Sequence, residues 1–423
     1  MDVPQAFNFV EAARFCNAIG AHATTLDAVR LGLSADPGNP MLYVYRACAY
    51  DEFGRSAEAI ADCEAALALD PHGDAGVLAL ITLALVRERI GEPEAAFAAA
   101  RAAIALDPAG HESHATLGTL LAWHGAYPAA WPELECHWIR ERVTFMQRFP
   151  DTNEWDGEDI AGRRLLLVHG QGLGDMLQML RYVPRLHQCG ATVVLEYPEP
   201  MRDLVRTLSG VDAFVPKGTL ARDAFDVYAR LMSLPRLLGE DGHARDGDVP
   251  YLGVDVARCA DWERRLGPRD GRIRAGLVWA GNPAHENDRR RSIPLDAFAP
   301  LAAIPGVRWL SLQIGPRAND AAPPDLALER IDDAIVDMAD TAALVSQLDL
   351  VIAADTSVAH LAGALGVPVW LALPWRPDWR WSSSAATSPW YPSMRLFHAG
   401  DPTWTTALAA LACEFAALRA ARD

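Results

Sequence analysis

The chain has 423 residues, 55 acidic against 38 basic side chains, a formal net charge of -17, and 51% hydrophobic residues. That length holds two or three domains with sizeable cores. The acidity is spread along the chain with no acidic tail, which argues against nucleic acid or anionic membrane surfaces as general partners. Lys217 is the only lysine, so a phosphate clamp has to be built from arginine or backbone N–H groups. The seven cysteines are scattered and form no CxxC pair, as expected for a reducing cytoplasm. The N-terminus lacks a basic leader and no apolar run is long enough to span a bilayer, so neither a signal peptide nor a transmembrane helix is expected.

Residues 1–150 read as a repeat array. Glycines 20, 54, 91 and 125 recur at spacings of 34, 37 and 34, and Asp36-Pro37, Asp70-Pro71 and Asp107-Pro108 recur in the same frame. The unit is helix, turn at glycine, helix, stop at proline. Its length and its small residues, such as Ala57, Ala59 and Ala66 in one unit and Ala95, Ala96 and Ala103 in the next, resemble the tetratricopeptide repeat. Four repeats are counted, the last lacking its proline and running on into Trp138 and Arg142. Such an array offers a concave groove for an extended segment of another protein. The alternative is that it supports the following domain or mediates dimerisation. His111, His114, His124 and His137 are read as surface or packing residues, since no second ligand cluster accompanies them.

Residues 151–255 form a first α/β half. A strand over 165–169 leads into Gly170-Gln171-Gly172-Leu173-Gly174-Asp175 and then a helix. The glycines allow close backbone approach or positive φ, but the string does not complete a dinucleotide fingerprint. Asp175 is either an ordinary acidic residue in the first turn of a helix or a general base facing a cleft. Strands are expected over 191–197, 213–216 and 225–229, with a helix over 200–208, which together mean a parallel sheet. The run 239–248 reads as a loop, and its Asp246-Gly247-Asp248 string follows no strand, so it is not taken as a metal site.

Residues 256–402 form a second half, closed by a helix in 403–423. A strand over 275–279 ends in a loop carrying Asn282, His285, Asn287, Asp288 and the arginines 289–291. These arginines are a solvated charge run or the cationic lining of an anion site. Further strands are expected over 309–313 and near 335–338, then a helix over 341–348. The stretch 349–370, DLVIAADTSVAHLAGALGVPVW, reads as strand, tight turn at Asp355-Thr356-Ser357, helix, and second strand. A helix starting there turns unpaired N–H groups and a positive dipole end toward the carboxyl edge of the sheet, where anions bind. The aromatics of 374–392, including Trp375, Trp379, Trp381, Trp390 and Tyr391, are core or seam residues, or else they stack on a base or sugar.

With GQGLGD (170–175), GLVWAGNP (276–283), NDRRRSIPL (287–295), ADTSVAHLAGALGVPVW (354–370) and PDWRW (377–381), residues 160–400 resemble the heptosyltransferase-type GT-B glycosyltransferases, in the branch carrying N-terminal tetratricopeptide repeats. The resemblance implies a helical array followed by two Rossmann-like domains. It implies Asp175 as base on the acceptor hydroxyl and Gly170, Gln171, Gly172 and Gly174 as the acceptor-side loop. It also implies Arg291 on the donor phosphates, with Asn282, Gln313, Asp355, Thr356, Ser357 and His360 completing the donor side. Arginine stands at 291 where heptosyltransferases usually have lysine. Trp279, Trp379 and Trp381 are the stacking candidates. The donor is expected to be a nucleotide-diphosphate sugar, with no cofactor and no metal. The acceptor is expected to be a flagellin-like or surface protein held by the repeats, and transfer is expected to invert configuration, since one base and no carboxylate nucleophile are evident. An oligomer stays open. Two competing functions are a degenerate scaffold that binds a sugar nucleotide, and a hydrolase or epimerase acting on one.

Overall fold

A computed structural model describes residues 8–148, 150, 152–170, 172–219, 224–242, 248–285, 287–331, 334–400 and 403–420. Gln171, Asp246 and Gly247 lie outside the described residues, as does the side chain of His137. The chain forms two compact units, Met1–His137 and Trp138–Asp423. No helix among the described residues is long and apolar enough to cross a membrane.

Among the described residues the first unit has four helix pairs: α1 (Phe9–Ala18) with α2 (His22–Ala35), α3 (Pro40–Glu52) with α4 (Ser56–Leu69), α5 (Asp74–Arg89) with α6 (Pro93–Leu106), and α7 (His111–Trp123) with α8 (Tyr127–Leu134). Each pair turns at its glycine. Gly20, Gly54, Gly91 and Gly125 have φ of 69°, 72°, 80° and 72°, a left-handed conformation that ends the first helix of each pair and that only glycine adopts freely. Asp36, Asp70 and Asp107 then close α2, α4 and α6 immediately before their prolines. Ala59, Ala66, Ala96 and Ala103 are fully buried between helices, whereas Ala57 is exposed and takes no part in the packing. Buried charges are paired inside the array. The Arg46 fork reaches Asp62 with two bonds of 2.7 Å, and Arg89 meets Asp51 of the preceding repeat. His114 and His124 pair with Glu133 and Glu88, which are packing roles.

The second unit carries two parallel sheets. The first contains β1 (Arg164–Val168), β2 (Thr192–Tyr197), β3 (Ala213–Pro216) and β4 (Val227–Arg230) in the order β3-β2-β1-β4. The second contains β5 (Ile273–Val278), β6 (Val307–Ser311), β7 (Leu328–Arg330), β8 (Leu350–Ala353), β9 (Val369–Leu373) and β10 (Met394–His398) in the order β10-β9-β8-β5-β6-β7. In both, central strands are buried on both faces, as crossover helices require. The Ile139–Arg148 helix belongs to this unit, with Phe145 packed against Tyr228 of β4 at a ring distance of 6.2 Å.

The strand expected near 335–338 is not formed. Asp337 instead caps a helix, Met338–Val345, by accepting the Asp340 N–H at 2.8 Å, and the edge strand is β7 further upstream. β10 was not anticipated, because its sequence MRLFH is short and follows a long run of turn formers.

The topology decides where a ligand can sit. From β1 the chain steps outward to β2 and β3, then returns to the other side of β1 with β4. From β5 it steps to β6 and β7, then returns with β8. Each sheet therefore has one switch point, between β1 and β4 and between β5 and β8. Crevices open outside the carboxyl ends of strands at such points.

Candidate active site at the two switch points

At the first switch point, β1 ends at Val168 and the Leu173–Met179 helix begins just beyond the glycine loop. Asp175 sits in the first turn of that helix, where its Oδ2 accepts the Gly172 N–H at 2.7 Å. Gly172 itself has φ -70°, an ordinary value, so this glycine is not needed for a left-handed turn. Gly174 has a different use. A Cβ there would lie 2.9 Å from Cδ2 of His360, so its absence lets this helix pack directly on the Ser357–Ala364 helix of the second half.

At the second switch point, β8 ends at Ala353 and delivers Asp355 and Thr356 to the sheet edge. Thr356 is the N-cap of the Ser357–Ala364 helix, yet its hydroxyl makes no capping bond and is buried without a partner. Ser357, half-buried, is the first helical residue. His360 is buried, with Nδ1 3.0 Å from the Tyr391 hydroxyl and its ring stacked on Trp381 at 5.3 Å. Burial, followed by the Arg380, Arg181 and Arg291 cations, pushes its pKa well below that of free histidine, so the ring is neutral. Its Nε2 lies 3.9 Å from Asp355. Burial, then the neighbouring Asp378 carboxylate, pushes the Asp355 pKa up to about 6 against the pull of Arg291 and Arg380.

After β5 the chain makes the arginine loop. Asn282 is exposed, and its side-chain oxygen accepts the Ala284 N–H at 3.0 Å in a local turn. Arg291 ends a short helical turn, Asp288–Arg291, with Nε 3.5 Å from Asp288 Oδ1. A Cβ on Gly281 would lie 2.7 Å from Arg291 Nη2, so the glycine is what lets the guanidinium lie over the loop backbone. Arg291 is close enough to Asp355, His360 and His285 to shift all three. Its partners in sequence, Arg289 and Arg290, are exposed.

Other expected donor-side residues hold the fold together. Gln313 is 3% exposed, and its amide is fully engaged. Its oxygen accepts the Trp279 and Ala280 N–H groups at 3.1 and 2.8 Å, while its nitrogen donates to the Ala280 and Ile314 carbonyls at 3.0 and 3.1 Å. It therefore fixes the exit of β5. The three stacking candidates are buried and serve as packing: Trp279 in the core of the second sheet, bonded to Asp320 at 3.0 Å; Trp379 between Trp138 and Trp390; Trp381 against His360.

The residue that joins the two edges is Arg380, inside the PDWRW stretch but not anticipated as a site residue. It is buried, and its fork contacts Asp175 while Nε donates to Gln178 at 2.7 Å and Nη1 to Asp378 at 2.6 Å. Burial works against this cation, and the Asp175, Asp378 and Asp355 carboxylates more than restore it. Arg181 crosses in the opposite direction, donating to the Trp390 carbonyl at 2.6 Å from a cage of Tyr251, Trp390 and Tyr391 rings. The two halves thus exchange buried arginines. His285, also not anticipated as a site residue, sits where both edges are felt. Its pKa is lowered by desolvation and by Arg291, and held up by Asp175 and Asp378. Its Nδ1 accepts the Asn287 N–H at 3.2 Å, which leaves Nε2 as the protonated nitrogen of the neutral ring. What could have flagged Arg380 in the sequence is its setting, an arginine in an aromatic-rich run beside an aspartate.

No protein-family model matches the chain. Among curated proteins it is similar to Protein FlbA of Caulobacter vibrioides, 27% identical over 266 residues that cover 57% of this chain and 44% of FlbA. The chain thus spans under half the length of that relative. Among solved structures it is similar to a glycosyl transferase family 9 protein of Veillonella parvula, at 10% identity, covering 62% of this chain and 99% of that one, TM-score 0.47. It is also similar to the ADP-heptose lps heptosyltransferase II of E. coli, at 14% identity, covering 60% and 99%, TM-score 0.42. An O-GlcNAc transferase mutant of Thermobaculum terrenum is matched at 14% identity over 98% of this chain and 92% of that one, TM-score 0.32.

Proposed function

We propose that the second unit transfers a sugar from a nucleotide-diphosphate donor to a hydroxyl of an acceptor, and that the repeat unit holds a protein acceptor. The observation that carries this reading is the meeting of two chemically unlike switch points through Arg380: a carboxylate, Asp175, at one, and a cation with helix N–H groups, Arg291 and Thr356 to Ser357, at the other. Glycosyl transfer needs both. Asp175 takes the proton of the acceptor hydroxyl, and its carboxylate retains accepting capacity beyond the Gly172 and Arg380 contacts. Arg291 and the unpartnered Thr356 hydroxyl stabilise the departing diphosphate. With one base, and no carboxylate among the described residues placed as a nucleophile, direct displacement inverts the anomeric carbon, and Arg291 supplies the positive charge for the leaving group. The five stretches of sequence quoted for the resemblance fall at these same edges, including Asp175, Arg291 and the turn at Asp355.

The test is a thermal-shift panel of nucleoside mono- and diphosphates and their sugars on the full chain. A ligand present at a hundred times its Kd adds about 2.7 kcal/mol of apparent stability, so a fitting nucleoside diphosphate raises the melting temperature by several degrees. A panel in which no nucleoside diphosphate moves it sinks the reading. Binding without transfer, with Asp175→Asn indistinguishable from wild type in cells, favours the scaffold instead.

A further inference from the structure

The first switch point contains a feature that the acceptor-side loop does not explain. Where β1 and β4 part, a pocket of about 10 Å³ is lined by His169, Gly170, Asp175, Met176, Leu231 and Met232. That is room for about one water-sized group. His169, just past β1, and Asp175, in the first turn of the following helix, are its polar lining residues, and the side chains of Met176, Leu231 and Met232 are apolar.

His169 is only 5% exposed, and neither ring nitrogen has a hydrogen-bond partner among the described residues. Burial, then the positive charge of Lys217, pushes the His169 pKa down to about 4, against the opposing pull of Asp175 and Glu196, so the ring is neutral near pH 7. A neutral imidazole presents one N–H and one lone pair. Beside it stands an acid that already has two contacts and spare accepting capacity.

We propose that His169 is the second group that grips the acceptor: in this pocket its ring N–H holds the hydroxyl oxygen whose proton Asp175 removes. This rests on the glycosyl-transfer reading above. The O–H hydrogen passes to the Asp175 carboxylate, and the oxygen lone pair forms the bond to the anomeric carbon. The bond from that carbon to the diphosphate breaks, its electron pair leaving on the phosphate oxygen. His169 keeps its proton throughout, occupying one lone pair of the incoming oxygen and so fixing the direction of the other. Because the pocket admits one small group, the nucleophile it takes is an unhindered primary hydroxyl, as on a serine side chain or an exocyclic sugar carbon. The bulk of the acceptor stays outside.

The experiment uses the full chain with ADP-, GDP-, UDP- and dTDP-linked hexoses, and reads release of nucleoside diphosphate in water and formation of the alkyl glycoside in added methanol or 2-propanol. Wild type is expected to use methanol at least about tenfold better than 2-propanol. His169→Leu is expected to lose about 30- to 100-fold in turnover, within the range of a positioned hydrogen-bonding group, with the melting temperature and nucleoside diphosphate affinity unchanged. His169→Gln, which restores an N–H donor, is expected to regain about tenfold of that loss. Full turnover by His169→Leu overturns the assignment and leaves the transfer reading standing. Equal use of the two alcohols by wild type overturns it as well, and does so even where the leucine variant fails to fold. If no nucleotide sugar is bound or turned over by wild type, the transfer reading fails and the inference falls with it.

Discussion

The two switch points have the same topology and opposite chemistry. The edge between β1 and β4 gathers one carboxylate, one neutral imidazole and an apolar wall around a pocket of about 10 Å³. The edge between β5 and β8 gathers Arg291, a helix N-terminus with an idle Thr356 hydroxyl, and a carboxyl held up at about 6. One edge is suited to removing a proton from a small group, the other to receiving negative charge. The contrast shows that a parallel sheet fixes where a ligand sits while the loop residues fix what it is. Arg380 belongs to neither chemistry. It is the tie that makes the two edges one site.

The largest effect is expected at the proton-accepting edge. Asp175→Asn keeps the shape of the side chain and can still accept from Gly172, but it has no basic oxygen to take a proton. Turnover should fall by about a hundred- to ten-thousand-fold, the usual contribution of a general base, while nucleotide affinity stays within about twofold of wild type. Unchanged turnover would show that the acid is only a helix-terminal charge. Next comes the tie. Arg380→Met leaves Asp175 and Asp378 facing each other without their shared cation, and removing one partner of a buried ion pair costs about 3–5 kcal/mol. Arg380→Lys should recover only part of it, because an ammonium cannot reproduce a fork that reaches Gln178, Asp175 and Asp378 together. Denaturant titration of both variants measures this, and a loss under about 1 kcal/mol for the methionine variant, far below a buried-pair cost, would mean that the two edges stand independently.

The edges differ as well in how far they could be seen in the sequence. The repeat array was legible because its glycines and Asp-Pro pairs are local punctuation, each acting on the backbone where it stands. The turn at Asp355 to Ser357 was legible for the same reason: an apolar run, a cap and a helical pattern are all written within a dozen residues. Glycine 174 was visible as a glycine, but its purpose was not, since it accommodates His360 from 186 positions away in the chain. Gln313 and the tryptophans 279, 379 and 381 carried polar or aromatic promise that burial then redirected to packing. His169 and Arg380 were passed over because their meaning depends on what they fail or manage to meet, and pairing across two sheets leaves no periodicity.

The anion-receiving edge is expected to show a smaller effect. Arg291→Ala removes the guanidinium that lies over Gly281 and acts on Asp355 and His285. Loss of one charge-assisted contact to a diphosphate is worth about 1.5–3 kcal/mol, so titration calorimetry should show nucleoside diphosphate binding weakened by about ten- to a hundredfold. The corresponding nucleoside, which has no phosphate, should bind both forms alike. An equal loss for the nucleoside would place Arg291 in shaping the loop instead of contacting phosphate.

The last prediction asks whether the second edge is electrostatically costly to the fold in a way the first is not. Asp355 ionises at about 6 in the folded protein, because burial and Asp378 disfavour its charge, whereas an unfolded aspartate ionises near 3.8. Between those values the folded state holds a proton that the unfolded state has released, so this group makes stability fall as pH rises from about 4 to about 6 and leaves it reduced above that. A tenfold difference in acidity is worth about 1.4 kcal/mol, so the penalty near pH 7 is on the order of 3 kcal/mol. Asp355→Asn cannot ionise and escapes it. Its melting temperature relative to wild type should therefore climb between pH 4 and pH 7 and level off above. At the first edge the sign reverses: His169 is held neutral down to about 4, so wild type loses stability as pH falls from 6.5 toward 4, and His169→Gln should gain on wild type over that interval. Opposed slopes in the two variants would show that one edge carries an unfavourable negative charge and the other a suppressed positive one, as a base on one side and an anion receiver on the other require. Parallel slopes would mean that the two edges share a single environment, and the division of chemistry between them would have to be abandoned.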